Sequence, residues 1–301
     1  MKILIADKLS PKAILALEKI GAEITSNPDL KAEELSEAIN NANILIVRST
    51  KVFAETIEAG KSLELIIRAG AGVNNIDLEK ASSSGVYVAN CPGKNSDAVA
   101  ELALGHIIAC DRRIVDASLD LRSGNWKKKA YQNAAGLKGR TLGIIGLGSI
   151  GRALAKLAKG LNMRVIAWSR SLTPDKADKL DLVYCESIDE VAANADVISV
   201  HLAVTPDTKH LLNTKFFNKM KDEAIFVNTS RGEIVDTAAL HKAIDEKTLR
   251  VGLDVFENEP GSGLAEFDQT DLAGSITCTP HIAASTNQAS EAIADEVVRI
   301  V

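Results

Sequence analysis

Cysteine is scarce and scattered. The four present, Cys91, Cys110, Cys185 and Cys278, show no C-x-x-C pair and no cysteine–histidine spacing, so neither a zinc site nor a disulfide framework is expected. Long apolar runs are missing as well: none approaches the roughly 20 residues that cross a bilayer. The opening stretch, Met1-Lys2-Ile3-Leu4-Ile5-Ala6-Asp7, is too short for a secretory signal and lacks a cleavage-type region, so it reads as a strand. A cytoplasmic protein is expected, with no membrane partner and no metal. Positive charge is not in excess. A net charge of −5 argues against a surface that coats nucleic acid. Internal repeats and low-complexity tracts are also absent. What remains is ordinary for a soluble globular chain, 46% hydrophobic and 25% charged over 301 residues, which is long enough for two domains with their own cores.

The most informative stretch is Gly146-Leu147-Gly148-Ser149-Ile150-Gly151. A strand-like stretch within Lys138 to Ile145 precedes it. A helical pattern (Leu154, Leu157, Ala158, Leu161) and a second apolar run, Met163 to Trp168, follow. Strand, glycine turn, helix and strand in that order give G-x-G-x-x-G its meaning as a dinucleotide site. Gly146 permits the tight turn, Gly148 lets the backbone approach a pyrophosphate, and Gly151 lets helix and strand pack closely. The helix N-terminus offers unpaired N–H groups to the same anion. A cofactor with a free ribose 2′-hydroxyl usually meets an acid about twenty residues later. Here the second strand ends Trp168-Ser169-Arg170-Ser171, without one. A hydroxyl followed by a guanidinium favours a 2′-phosphate, so the reading leans towards NADP(H). The plainer alternative is a solvated Arg170, or one stacked on adenine.

Elsewhere strands alternate with helices, which implies doubly wound parallel sheets. Strands are expected at Ile3–Ala6, Glu23–Thr25, Ile44–Val47, Leu65–Ile67 and Gly85–Asn90, with helices at Pro11–Ile20, Lys31–Asn40 and Ala54–Gly60. A long helix, Asp97 to Leu121, capped by Asn95-Ser96, would bridge to the next domain. Trp126-Lys127-Lys128-Lys129 reads as a solvated basic loop. Later strands are expected near Leu182–Tyr184, Val197–Leu202, Ala224–Asn228, Arg250–Val255 and Ile276–Thr279. The helices among and after them are Ile188–Asn194, Thr214–Met220, Thr237–Lys247 and Ser285–Val301, the last returning to the first domain. Polar loops follow strand ends at Arg48-Ser49-Thr50-Lys51 and at Arg68 to Asp77. Small residues from Ala69 to Gly72 suggest a backbone nest for an anion, and Arg48 and Arg68 add fork-shaped donors. Both arginines could equally face solvent or pair with local carboxylates.

Arg231, Glu259 and His281 each follow a strand of the second sheet, on the side where open parallel sheets bind ligands. Together they suit reduction of a 2-keto acid. A guanidinium grips the carboxylate and keto oxygen, an imidazole donates the proton, and a glutamate holds the imidazole. Spacing alone does not choose among His106, His201, His210, His241 and His281.

The segments Asn228-Thr229-Ser230-Arg231-Gly232-Glu233-Ile234-Val235-Asp236, Gly252 to Pro260 and Thr279-Pro280-His281-Ile282-Ala283 resemble the signatures of the D-2-hydroxyacid dehydrogenase family. With the glycine turn they occur in order along essentially the whole chain. The resemblance implies a Rossmann-like cofactor domain (96–282) inserted in a flavodoxin-like substrate domain (1–95 plus 283–301). It implies Arg231, Glu259 and His281 as the catalytic set. It also implies cofactor contacts at Gly146, Gly148, Ser149, Ile150, Gly151, Ser169, Arg170, His201, Leu202, Ala203, Pro206, Thr229, Ser230, Arg231, Asp254, His281 and Ala283. Substrate contacts are implied at Arg48, Arg68, Ala71, Gly72, Val73, Asn95, Arg231 and His281.

Within the family, Val47 to Val52, Arg68 to Asp77 and His281 to Thr286 are most similar to the branch that oxidises D-3-phosphoglycerate to 3-phosphohydroxypyruvate. That branch opens serine synthesis, and a homodimer comes with the likeness. Three departures are notable. The acid expected for NAD is missing, no regulatory domain is expected after Val301, and Asn74-Asn75 stands where the family has Asp-Asn. NADPH-dependent reduction of glyoxylate or hydroxypyruvate is the competing activity, and a non-enzymatic dinucleotide sensor is the more remote one.

Overall fold

The computed structural model describes residues 1–260 and 265–301. The chain divides into two compact units, Met1–Asn95 with Ala284–Val301, and Ser96–Ala283.

The first unit runs β1 (Lys2–Ile5), α1 (Pro11–Lys19), β2 (Glu23–Ser26), a 3₁₀ turn (Ala32–Glu34) leading into α2 (Leu35–Ala38), β3 (Ile44–Val47), α3 (Ala54–Ala59), β4 (Leu65–Arg68), α4 (Leu78–Ser83) and β5 (Tyr87–Asn90). All pairings are parallel and the order is β2-β1-β3-β4-β5, the flavodoxin-like arrangement. Every residue of β3 is buried, as a parallel strand covered on both faces requires. Side chains alternate between two cores. Leu4, Leu45, Val47 and Ile66 face one, while Ile3, Ile5, Ile44, Ile46 and Ile67 face the other.

The second unit begins with α5 (Ser96–Arg112) and α6 (Ile114–Arg122), followed by β6 (Thr141–Ile145), α7 (Ser149–Gly160), β7 (Arg164–Trp168), α8 (Pro174–Lys179), β8 (Val183–Tyr184), α9 (Ile188–Asn194) and β9 (Val197–Val200). It continues through α10 (Thr214–Lys219), β10 (Ile225–Asn228), α11 (Thr237–Lys247), β11 (Arg250–Leu253), α12 (Thr270–Ser275) and β12 (Thr277–Cys278). The sheet is parallel, in the order β12-β11-β10-β9-β6-β7-β8. That is the Rossmann order with one strand added, and it reverses direction between β6 and β9. The fold is therefore two doubly wound parallel α/β units, as expected. The chain then returns to the first unit with α13 (Asn287–Ile300). Its Thr286 cap accepts from Ala289 N, and its Ile293 and Val297 complete the second core of that unit.

Some expectations fail locally. The single helix from Asp97 to Leu121 is two helices, because Arg113 adopts a left-handed φ of 50° between them. No residue of α6 is buried, so no packed face holds it in line with α5. The side-chain oxygens of Asn95 and Ser96 accept no helix N–H, so neither is the cap it was expected to be. Three six-residue helices, α4, α8 and α12, were not anticipated.

Candidate active site

The second unit gathers the acid–base candidates at the carboxyl ends of three neighbouring strands. β10 leads into Arg231, β11 into Glu259 and β12 into His281. Nδ1 of His281 donates to Oε1 of Glu259 at 2.5 Å, and Oε2 of Glu259 accepts from the Phe256 N–H at 3.3 Å. Because Nδ1 faces a carboxylate, it carries a proton, which leaves Nε2 as the free nitrogen. Both side chains keep solvent access, at 47% for His281 and 31% for Glu259.

Each loop is built to hold its residue. The His281 loop wraps a carboxylate: fully buried Asp254 accepts from the Thr279 hydroxyl (2.6 Å), the Ile282 N–H (2.8 Å) and the Ala283 N–H (2.9 Å). The His281 N–H bonds the Asp254 carbonyl at 2.8 Å, with His281 itself at a left-handed φ of 50°. On the Arg231 loop, Asn228 Oδ1 accepts from the Ser230 N–H (3.0 Å) and hydroxyl (2.7 Å), while its amide donates to the Arg231 carbonyl (2.8 Å). The half-buried Arg231 guanidinium donates to the Ser230 carbonyl through Nη1 (2.6 Å). Gly232 lets this loop touch the next one, since a Cβ there would lie 2.0 Å from the Phe256 carbonyl carbon. Below Glu259, the Glu257 carboxylate accepts from His210 Nε2 (2.5 Å) and the Thr237 hydroxyl (2.8 Å). Partial burial works to raise the Glu257 carboxyl, but those two donors hold it below the usual carboxylate range.

The glycine turn joins β6 to α7 at the switch point. Gly146 takes φ +99°, and a Cβ on it would meet the His201 carbonyl at 2.3 Å, so the turn lies against the end of β9. Gly148, the cap position of α7, supplies no side chain to the first-turn N–H groups, and nothing lies within 4 Å of where its Cβ would be. That open cradle fits a pyrophosphate. Two buried polar atoms at the same sheet edge lack partners, His201 Nδ1 after β9 and Thr229 Oγ1 after β10. Such orphans suit the polar groups of a bound dinucleotide. Burial pushes the His201 imidazole down to about 4, so it stays neutral at physiological pH, with Nε2 3.0 Å from the Ser199 hydroxyl. The Ala203 carbonyl is taken by the Thr208 hydroxyl (2.7 Å), which fixes the turn containing Pro206.

Beyond β7, Ser169 lines a cavity of about 300 Å³ together with Leu147, Arg152, Ser171, Lys176 and Lys179. Arg170, the residue singled out in the sequence, is exposed and does not line it. The extra cations come from α7 and from α8, whose Thr173 cap and first-position Pro174 are a helix-start signal that could have revealed it.

In the first unit, Asp7 organises the loop after β3. Its Oδ2 accepts from the N–H groups of Arg48 (2.7 Å), Ser49 (3.1 Å) and Thr50 (3.0 Å). Asn75 ties that loop to the one after β4, donating to the Thr50 carbonyl at 2.8 Å. The expected nest at Ala69 to Gly72 is not free as drawn: the Ala69 N–H bonds the Val47 carbonyl and the Gly70 N–H the Arg68 carbonyl, each at 2.7 Å. The Arg68 guanidinium folds over Gly70, where a Cβ would clash with Nη1. Ala71, Gly72, Val73 and Asn95 are half-buried. Among the described residues no group of three or more His, Cys, Asp or Glu is arranged to hold a metal, and no helix is long and apolar enough to cross a membrane.

Residues 104–283 match the family described as D-isomer specific 2-hydroxyacid dehydrogenase, NAD binding domain. A hydroxypyruvate reductase from Thermotoga maritima is 40% identical over 300 residues, covering 99% of this chain and 96% of its own. A D-3-phosphoglycerate dehydrogenase from Methanocaldococcus jannaschii is 38% identical over 306 residues; this chain, matched over its whole length, spans 57% of that relative. Among solved structures, an NAD⁺-bound 3-phosphoglycerate dehydrogenase from Entamoeba histolytica has a TM-score of 0.80 at 29% identity, covering 100% of this chain and 95% of its own.

Proposed function

Since the chain belongs to the D-isomer specific 2-hydroxyacid dehydrogenase family, we propose that it interconverts a D-2-hydroxy acid and its 2-keto acid through Arg231, Glu259 and His281. The observation that carries this reading is the Glu259–His281 pair, 2.5 Å apart, one strand from Arg231. A bound nicotinamide dinucleotide supplies or accepts the hydride. The residues of the chain manage the carboxylate and the proton. His281 Nε2 gives its proton to the keto oxygen in reduction, or takes the hydroxyl proton in oxidation. Glu259 holds Nδ1–H and offsets the charge of the imidazolium whenever both nitrogens are protonated. Arg231 has guanidinium N–H groups beyond the one on Ser230, and these bind the substrate carboxylate in a fork. The glycine turn and the first turn of α7 hold the pyrophosphate, with His201 and Thr229 as further cofactor contacts.

For the substrate, the first assignment is D-3-phosphoglycerate, oxidised to 3-phosphohydroxypyruvate. Arg48 and Arg68 would bind it, on loops braced by Asp7 and Asn75. A second reading is NADPH-dependent reduction of hydroxypyruvate or glyoxylate. It is favoured by the Thermotoga relative, similar over nearly its full length, and by the cation-lined cavity beside Ser169, which suits a 2′-phosphate better than a bare hydroxyl. A panel of 2-keto and 2-hydroxy acids, phosphorylated and not, each with NAD(H) and NADP(H), separates them. If phosphate on the substrate gives no gain in kcat/KM and Arg48→Ala loses nothing, the phosphoglycerate assignment fails. A homodimer through the second unit belongs to the same reading, because α6 and the loop after it expose Ile114, Leu119, Leu121 and Trp126. A monomeric mass by light scattering would refute it.

A further inference from the structure

We infer that His106, a buried histidine of α5, is a positioning residue for His281, acting through a hydrogen-bonded relay of Thr279 and Asp254. This rests on the acid–base role of His281 proposed above. His106 is 3% exposed, and its Nε2 lies 3.1 Å from the Thr279 hydroxyl oxygen. The same hydroxyl lies 2.6 Å from Asp254 Oδ1. A hydroxyl has one hydrogen. The carboxylate can only accept, so that hydrogen points to Asp254, and the Thr279 oxygen must then accept from His106. His106 is therefore protonated on Nε2, and burial, which pushes its imidazole below the ordinary histidine range, keeps Nδ1 bare.

The relay runs His106 → Thr279 → Asp254, and Asp254 also receives the N–H groups of Ile282 and Ala283, the two residues directly after His281. Breaking it at His106 leaves the Thr279 hydroxyl underused and free to turn, which loosens the one anion around which the His281 loop is wound. The helix contributes a fixed point: a Cβ on Gly252 would meet the His106 Cβ at 2.8 Å, so β11 is packed directly against this side chain. The Arg231 loop is fastened by Asn228 instead, outside the relay. Loss of His106 should therefore fall on proton transfer and spare substrate capture.

The test uses the full-length protein with saturating dinucleotide. His106→Met is expected to lower kcat about 5- to 20-fold while leaving KM for the keto acid within about twofold, the effect of one hydrogen bond lost from a relay. His106→Gln keeps an N–H donor of similar reach and is expected to recover most of kcat. Thr279→Val should lower kcat at least as far, and adding His106→Met to it should cost nothing more. A His106→Met enzyme with normal kcat, a Gln variant no better than Met, or additive losses would overturn the inference. Independently of activity and of any variant's folding, ¹⁵N NMR of the wild-type histidines should find His106 protonated on Nε2 at neutral pH. An Nδ1–H tautomer would end the relay even if His281 proved essential.

Discussion

Gly232→Ala puts the coupling of the two loops to a quantitative test. An added Cβ would stand 2.0 Å from the Phe256 carbonyl carbon, 2.1 Å from its oxygen and 2.3 Å from the Glu257 nitrogen. Carbon atoms in comfortable contact sit about 3.5–4.0 Å apart, so the loops must separate by roughly 1.5 Å. All three neighbours are backbone, and no rotamer change relieves the clash. Overpacking of this kind costs about 1–3 kcal/mol, or roughly 2–12 °C in Tm for a unit of this size. The displaced segment leads to Glu259 on one side and the Arg231 loop on the other. A misplacement of about 1 Å can cost on the order of 10²-fold in rate, so kcat/KM for the keto acid should fall about 100-fold, with both kcat and KM affected. Steady-state kinetics and calorimetry on the same preparation measure both effects. A variant with kcat/KM within threefold of wild type would refute the claim that this contact sets the site.

Asp254→Asn replaces a buried acceptor of three hydrogen bonds with an amide that must point N–H groups at an N–H. A lost charge-assisted bond and an unsatisfied donor together cost about 2–5 kcal/mol, so Tm should drop by several degrees and kcat should fall with it; an unchanged Tm would contradict this. Glu296 is held down to about 2, chiefly by the Arg299 hydrogen bond and then by Lys94, against an ordinary 4.5. A depressed acid contributes stability above its unfolded pKa and loses it on acidification. The Tm gap between wild type and Glu296→Gln should thus be full at pH 7 and close as pH falls from about 4.5 towards 2; a gap that widens in acid would reverse the sign. For the coenzyme, Lys176→Ala should lower the ratio of kcat/KM for NADPH over NADH by about tenfold, the worth of one charge-assisted contact, whereas an unchanged ratio would remove the cavity beside Ser169 from cofactor recognition.

Much of the fold was legible because most strands are short, mainly apolar runs bounded by breakers; β3, β9 and β10 are buried at every residue. Some longer helices with a side-chain cap were also readable, such as α1 after Ser10 and α9 after Ser187. The break at Arg113 was not, because an arginine with a left-handed φ carries no local signal and the apolar periodicity runs on past it. The unanticipated helices α4, α8 and α12 are six residues each, a length at which periodicity is a weak signal, although Asp77 and Thr173-Pro174 were start signals. In the site, the motifs pointed to residues but not to what braces them. His106 and Thr279 are 173 positions apart, and the contact that excludes a side chain at Gly232 belongs to a different loop. Such facts arise from tertiary packing and leave no trace in spacing.

The proposed reaction requires His281, held by Glu259, to move the substrate proton. The direct measurement is kcat for keto-acid reduction by His281→Asn, with dinucleotide binding followed in parallel by nicotinamide fluorescence. General acid catalysis is worth roughly 10²–10⁴-fold, so kcat should fall by at least 100-fold while the dinucleotide still binds. A variant that binds dinucleotide and keeps kcat within about tenfold of wild type would contradict the account.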